Sequence, residues 1–244
     1  MAEVLQYLGW VVGLPLELLI IGALLRGSYR RFPLLLLYSL ALFLTTAIEI
    51  SVNEAYFSGV RFGISRATYS WVDESIREGL LFAVVLSLAY LATEKLQSRA
   101  VVRTALIAGG ILFAIASFLI HHQSQVASGA GRWHWMTPWV RDIDFAAAIV
   151  DLAVWTLLIA SRNRDTQVLL LAGGVGIQFA GAAIGESLRI LFQHFSPLPG
   201  GVIEMATALA GMWIWWRALR SAPVPKPARV ALSPRRDRTG ATRL

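Results

Sequence analysis

Apolar residues fill seven long stretches of the chain, near 4–25, 32–52, 69–93, 104–120, 137–160, 167–192 and 199–219, with polar loops between them. A bilayer core about 30 Å thick takes roughly 20 apolar residues per spanning helix. Each stretch therefore predicts a transmembrane helix, and the whole predicts an all-α, polytopic bundle of seven helices over residues 1–220. The fourth run is short, so its span extends toward His121 and His122 or tilts less than its neighbours. A six-span arrangement is the alternative. Composition agrees with a membrane solvent: 56% of the 244 residues are hydrophobic and 15% charged, too apolar for a soluble domain of this size.

The basic residues give an orientation. Of the 22 lysines and arginines, sixteen lie on one side: Arg26, Arg30 and Arg31; Lys95, Arg99 and Arg103; Arg162 and Arg164; and eight from Arg217 to Arg243. The alternate loops hold Arg61, Arg66 and Arg132, while Arg77, Arg141 and Arg189 fall within spans. Because basic loops stay cytoplasmic, the N-terminus is placed outside and the C-terminus in the cytoplasm. The formal charge of +7 is then a cytoplasmic collar for anionic lipid headgroups rather than a nucleic-acid surface. Residues 221–244 carry Pro223, Pro225, Pro227 and Pro234 among arginines and show no apolar periodicity, which predicts a disordered basic tail. Trp10, Trp71, Trp133, Trp135 and Trp139 near the outer interface, and Trp213, Trp215 and Trp216 near the inner one, fit interfacial anchors.

Cysteine is absent, which removes disulfides, thiolate metal sites and cysteine nucleophiles. No lysine or arginine precedes the first stretch and no small-residue cleavage pattern follows it, so it reads as a retained span rather than a signal peptide. The order of spans predicts hairpins over 4–52, 69–120 and 137–192, then a lone last helix. Trp71-Val72-Asp73-Glu74 and Trp139-Val140-Arg141-Asp142 open two of these hairpins alike, a match that a chain this rich in glycine and alanine also produces by chance. Gly181 and Gly185 stand at GxxxG spacing, where small residues let helices approach closely.

Polar residues collect at one level of this topology. Glu49 and Glu54 end the second span; Asp73, Glu74, Arg77 and Glu78 open the third; Arg141, Asp142 and Asp144 open the fifth; Glu186 and Arg189 lie toward the outer end of the sixth, and Glu204 lies a turn into the seventh. Charged side chains in hydrocarbon are costly and turn inward, pair, or line water. Spacing predicts the pairs Asp73–Arg77, Glu74–Arg77, Arg141–Asp144 and Glu186–Arg189. Nine acids against three arginines leave six without an internal partner, to be protonated, solvated or neutralised by a bound cation. The expected ligand site comprises Glu78, Asp144, Glu186 and Glu204 with Arg77, Arg141 and Arg189. Glu17 and Asp151 lie deeper, Asp151 two turns below Asp144 on the same face.

His121 and His122 are the candidate metal ligands, and imidazole with carboxylate suits a divalent cation. Adjacent helical residues point about 100° apart, however, so the two do not form a shared pair. His134 and His194 fall in loops, and there is no HExxH motif. The stretch Pro199–Leu219 contains no lysine, so it offers no retinal Schiff base of the microbial-rhodopsin kind, and it lacks the paired histidines of ceramidase-like hydrolases. No other cofactor is implied.

Leu14-Pro15-Leu16-Glu17-Leu18-Leu19, followed by Arg26-Gly27-Ser28-Tyr29-Arg30-Arg31-Phe32-Pro33, resembles the start of uncharacterised bacterial multi-pass integral membrane proteins. The resemblance covers the first hairpin alone; it implies a bacterial inner membrane and supplies no activity. No motif names a reaction. The expectation is an inner-membrane protein with an outward-facing acidic pocket for a cation or small polar ligand, as sensor or transporter. The alternatives are a membrane-embedded, metal-dependent hydrolase or transferase on lipid-linked substrate, and a structural or accessory subunit.

Overall fold

The computed structural model describes residues 2–57, 66–94, 99–128, 136–160, 165–191 and 198–221. Seven α-helices occupy nearly all of them: α1 (Ala2–Leu25), α2 (Pro33–Phe57), α3 (Arg66–Ala92), α4 (Arg99–Ser128), α5 (Met136–Ala160), α6 (Thr166–Leu191) and α7 (Leu198–Arg220). A 3-10 turn at Ser28–Arg30 joins α1 to α2, entered through Gly27 at φ 135°, a left-handed backbone that glycine adopts without a Cβ clash. Helices α1–α6 are long and apolar enough to cross a membrane by length and composition; α7, with 23 residues, is not among them. The protein is an all-helical, multi-pass membrane bundle. Of the tail at 221–244, all but Ser221 lies outside the described residues, as do the loops bearing Arg61, Arg132 and His134, and His194.

Neighbours in sequence are not always the main partners in space. Helices α6 and α7 share the most extensive contact and α3 and α5 the next, whereas α3 and α4 touch sparingly. The hairpin expected over 69–120 is thus the loosest of the three. Contacts close a ring in the order α1, α2, α3, α5, α6, α7, and α4 lies outside it against α3 and α5. The reason is visible in α4 itself, where Ile111, Leu112, Phe113, Ile115, Leu119 and Ile120 are all exposed in the bundle and so belong to lipid. The helix also runs on through His121 and His122 to Ser128, which removes the apparent shortness of the fourth span.

The α6–α7 contact is a small-residue seam. Gly174, Gln178, Gly181 and Gly185 of α6 meet Trp215, Gly211, Thr207 and Glu204 of α7 in antiparallel order. A Cβ at Gly185 would lie 2.5 Å from Glu204 Cγ, one at Gly174 2.6 Å from the Trp215 ring, and one at Gly181 would collide with Thr207. The GxxxG pair therefore does what its spacing predicts.

At the end carrying the basic loops the core is dry and bulky. Phe32, Leu24, Leu88, Leu171 and Trp215 are fully buried there. The Trp215 indole donates to the Leu171 carbonyl at 2.9 Å and meets the Tyr38 ring edge-on at 5.7 Å. Trp215 is accordingly a packing residue and not the interfacial anchor expected from its place in the sequence, whereas Trp213 is half-exposed. Outside this plug, Arg31 reaches across to Asp165 and Gln167. Asp165 in turn accepts the Gln167 and Val168 amides and caps α6. Burial pushes the Asp165 carboxyl up, but the Arg31 hydrogen bond and charge together with the two amides outweigh it and hold the group below its usual range.

Candidate functional site: an acidic interior around Arg77

Away from the basic loops the interior is polar. Helix α3 supplies Asp73, Glu74, Arg77 and Glu78 within six residues, two to three turns into the helix. Asp73 and Arg77 form the i, i+4 pair their spacing predicts, with Nε to Oδ2 at 3.3 Å. Arg77 also feels the charges of Glu78 from its own helix and of Glu49 from α2. Its Nε is buried without a hydrogen-bond partner, while the side chain as a whole is 39% exposed.

Two further helices bring acids to the same interior. Asp144 of α5 hydrogen-bonds side chain to side chain with Glu78. A carboxylate only accepts, so two such groups bond to each other only when one of them carries a proton. Glu17 of α1 is buried; its Oε1 accepts from Thr46 Oγ1 of α2 at 3.5 Å and its Oε2 has no partner. Oxygens of Asp73, Asp144 and Asp151 are likewise buried without a partner. An ionised aspartate at the centre of a spanning helix costs about 2.5–3.5 kcal/mol even on the lenient insertion scale. Four carboxyl groups with open acceptor oxygens are therefore expensive as a purely structural device.

Asp151 lies two turns from Asp144 along α5, about 10 Å deeper. It is buried, and the group facing it is Gly176 of α6, where a Cβ would lie 2.9 Å from Oδ2. Gly176 thus leaves room for this carboxyl in an otherwise apolar layer of Ala147, Val150, Val154 and Val175.

The structure divides the sequence-derived site. Glu78, Asp144 and Arg77 come together, with Glu17 and Asp151 below them. Arg141 is 63% exposed and meets Asp142 at 4.0 Å instead of Asp144. Glu204 packs in the α6–α7 seam against Gly185. The side chains of Glu186 and Arg189 lie outside the described residues, as does that of Glu54. Sequence reasoning missed Thr46 as a member of the cluster, and Gly176 as its spacer. Thr46 was findable, because a hydroxyl amid an apolar run needs a partner.

A second polar group ties α4 to α5. Ser117 donates to Asp142 Oδ2 at 2.7 Å, and His121 Nε2 lies 3.0 Å from the same oxygen. Asp142 stands in the middle, so the hydroxyl faces the acid and not the imidazole, and this is no nucleophile triad. His122 turns away and stacks on Phe118 at 5.5 Å, the divergence expected of adjacent residues. Among the described residues no three histidines or acids converge as a metal site. Beside this group an open apolar groove of about 280 Å³ runs between α3, α4 and α5, lined by Phe82, Leu86, Ile111, Phe118 and Trp139 among others.

The chain matches no protein-family model, and neither a curated protein nor a solved structure resembles it. The class of protein therefore rests on the helices themselves, which make it a multi-pass integral membrane protein.

Proposed function

We propose that this is a bacterial inner-membrane sensor or transporter whose acidic interior binds a cation or small polar ligand from the outer side. One observation carries the reading: acids of α1, α3 and α5, among them the Asp73 partner of Arg77, keep buried oxygens that no described protein group satisfies. Such oxygens are acceptors waiting for a cation, a proton or a ligand's donor groups. The orientation is that of the basic loops, with the N-terminus outside and the C-terminus cytoplasmic. Seven spans are supported by the seam, since α7 runs antiparallel to α6 from Glu204 opposite Gly185 to Trp215 opposite Leu171. That overlap covers about 20 Å of the thickness α6 crosses.

A ligand that binds only the folded state raises its melting temperature. Detergent-purified protein screened against divalent cations, polyamines and amino acids is expected to show a saturable rise that Glu78→Gln and Asp144→Asn together abolish. A cooperative melt that no compound shifts would defeat the reading and leave the acids as interhelical ties of a structural subunit.

The groove beside Asp142 and His121 favours a second reading, a membrane-embedded hydrolase or transferase acting on a lipid-linked substrate. Stoichiometric zinc in purified protein, lost on His121→Ala, would support its metal-dependent form.

A further inference from the structure

The interior acids differ in what they can hold. Asp151 is 5% exposed, has one oxygen without a partner, and sits opposite the bare backbone of Gly176. Among the described residues no charged group of α3, α4 or α6 reaches it, burial alone setting its environment. A metal ion held by protein oxygens takes four to eight donors, and this layer offers one carboxyl. A proton needs a single oxygen. Higher up, Glu78 is faced by Arg77 and Glu74 of α3, and a hydrogen bond between Glu78 and Asp144 takes one proton.

We propose that the cation taken up by this interior is the proton, held at two depths: shared between Glu78 and Asp144, and bound singly on Asp151. The proposal rests on reading these acids as a cation site and narrows it. Glu17, 3% exposed with its free Oε2 and Thr46 on the other oxygen, is a further buried acid and lies within reach of the Arg77 charge. Uptake is carboxylate plus proton to carboxylic acid at each station, with no other reactant. The dry plug of Tyr38, Trp215 and Leu171 beyond it separates these stations from the basic end. A protein so arranged binds protons from one side, and proton occupancy accompanies whatever the Arg77 level binds.

Infrared spectroscopy of the full chain in vesicles of phosphatidylethanolamine and phosphatidylglycerol tests this directly. Protonated carboxyl groups give a C=O stretch that shifts on deuteration and is distinct from ionised carboxylate. Near neutral pH the wild type is expected to show such bands, with one component lost in Asp151→Asn and another in Glu78→Gln. If Asp151→Asn does not fold, Asp151→Glu is expected to move that component without removing it. A wild-type spectrum holding only ionised carboxylate, or protonated bands that none of these variants alters, would overturn the proposal. Stabilisation by a metal ion with no protonated band would keep the cation site and reject the proton; protonated bands without any ligand shift would do the reverse.

Discussion

Glu78 on α3 and Asp144 on α5 meet carboxyl to carboxyl inside the bundle, close to Arg77 and its partner Asp73. The contact joins the two helices that form the second most extensive interface of the ring. Glu78→Gln keeps a donor for Asp144 and should leave the fold intact. Glu78→Ala removes the partner and strands a buried acid, which typically costs about 1–3 kcal/mol. Chemical unfolding in detergent should therefore separate the two variants, and equal stabilities would mean the contact contributes nothing.

The seam between α6 and α7 makes a sharper steric prediction. Gly181→Ala places a methyl group into Thr207 and is expected to destabilise by about 1–3 kcal/mol, as overpacking does. Thr207→Ala in the same chain should restore part of the loss. Gly109→Ala, where a Cβ meets nothing within 4 Å, should be neutral or stabilise by up to about 1 kcal/mol. A uniform response of the two glycines in a thermal melt would contradict the close approach.

Tryptophans should sort by packing and not by position in the sequence. Trp215→Phe loses the bond to the Leu171 carbonyl and should cost about 0.5–1.5 kcal/mol. Trp213→Phe, half-exposed, should fall within about 0.5 kcal/mol. Comparable losses would return Trp215 to an interfacial role.

Asp165 gives a pH dependence outside the spans. Its carboxyl is held below the usual range in the folded protein, so its contribution is present above the unfolded value. It is lost as pH falls through the folded one. Asp165→Asn keeps the helix cap but loses the charge opposite Arg31, and the pair is partly exposed, so the effect is modest. The variant should be less stable than wild type near neutral pH, with the difference closing in acid. A gap that persists at low pH would show that the charge is not what matters.

Much of this architecture was legible in the sequence because membrane helices announce themselves by length and apolarity. All seven helices fall on the seven apolar stretches, and the Asp73–Arg77 pair and the Gly181–Gly185 face follow from helical spacing. Lateral order was not legible. Nothing local in the sequence says that α3 prefers α5 to its hairpin neighbour α4, because that choice depends on which faces are polar or small. For the same reason Arg141 was expected beside Asp144 on spacing alone, whereas its helix face turns it outward to Asp142. Thr46 against Glu17 and Gly176 against Asp151 are contacts between distant helices that no single-helix period encodes.

The acidic interior is proposed to open to one side and to end at a dry plug. The chain has no cysteine, so single substitutions report cleanly. Thr46 lies at the Glu17 level of α2, and Ser39, 2% exposed, lies two turns away on the same face toward the plug. A membrane-impermeant thiol reagent applied from the side of the N-terminus should modify Thr46→Cys and spare Ser39→Cys. A cation or ligand that raises the melting temperature should slow the first reaction. Modification of neither residue, of Ser39→Cys first, or of Thr46→Cys only from the opposite side would contradict the account.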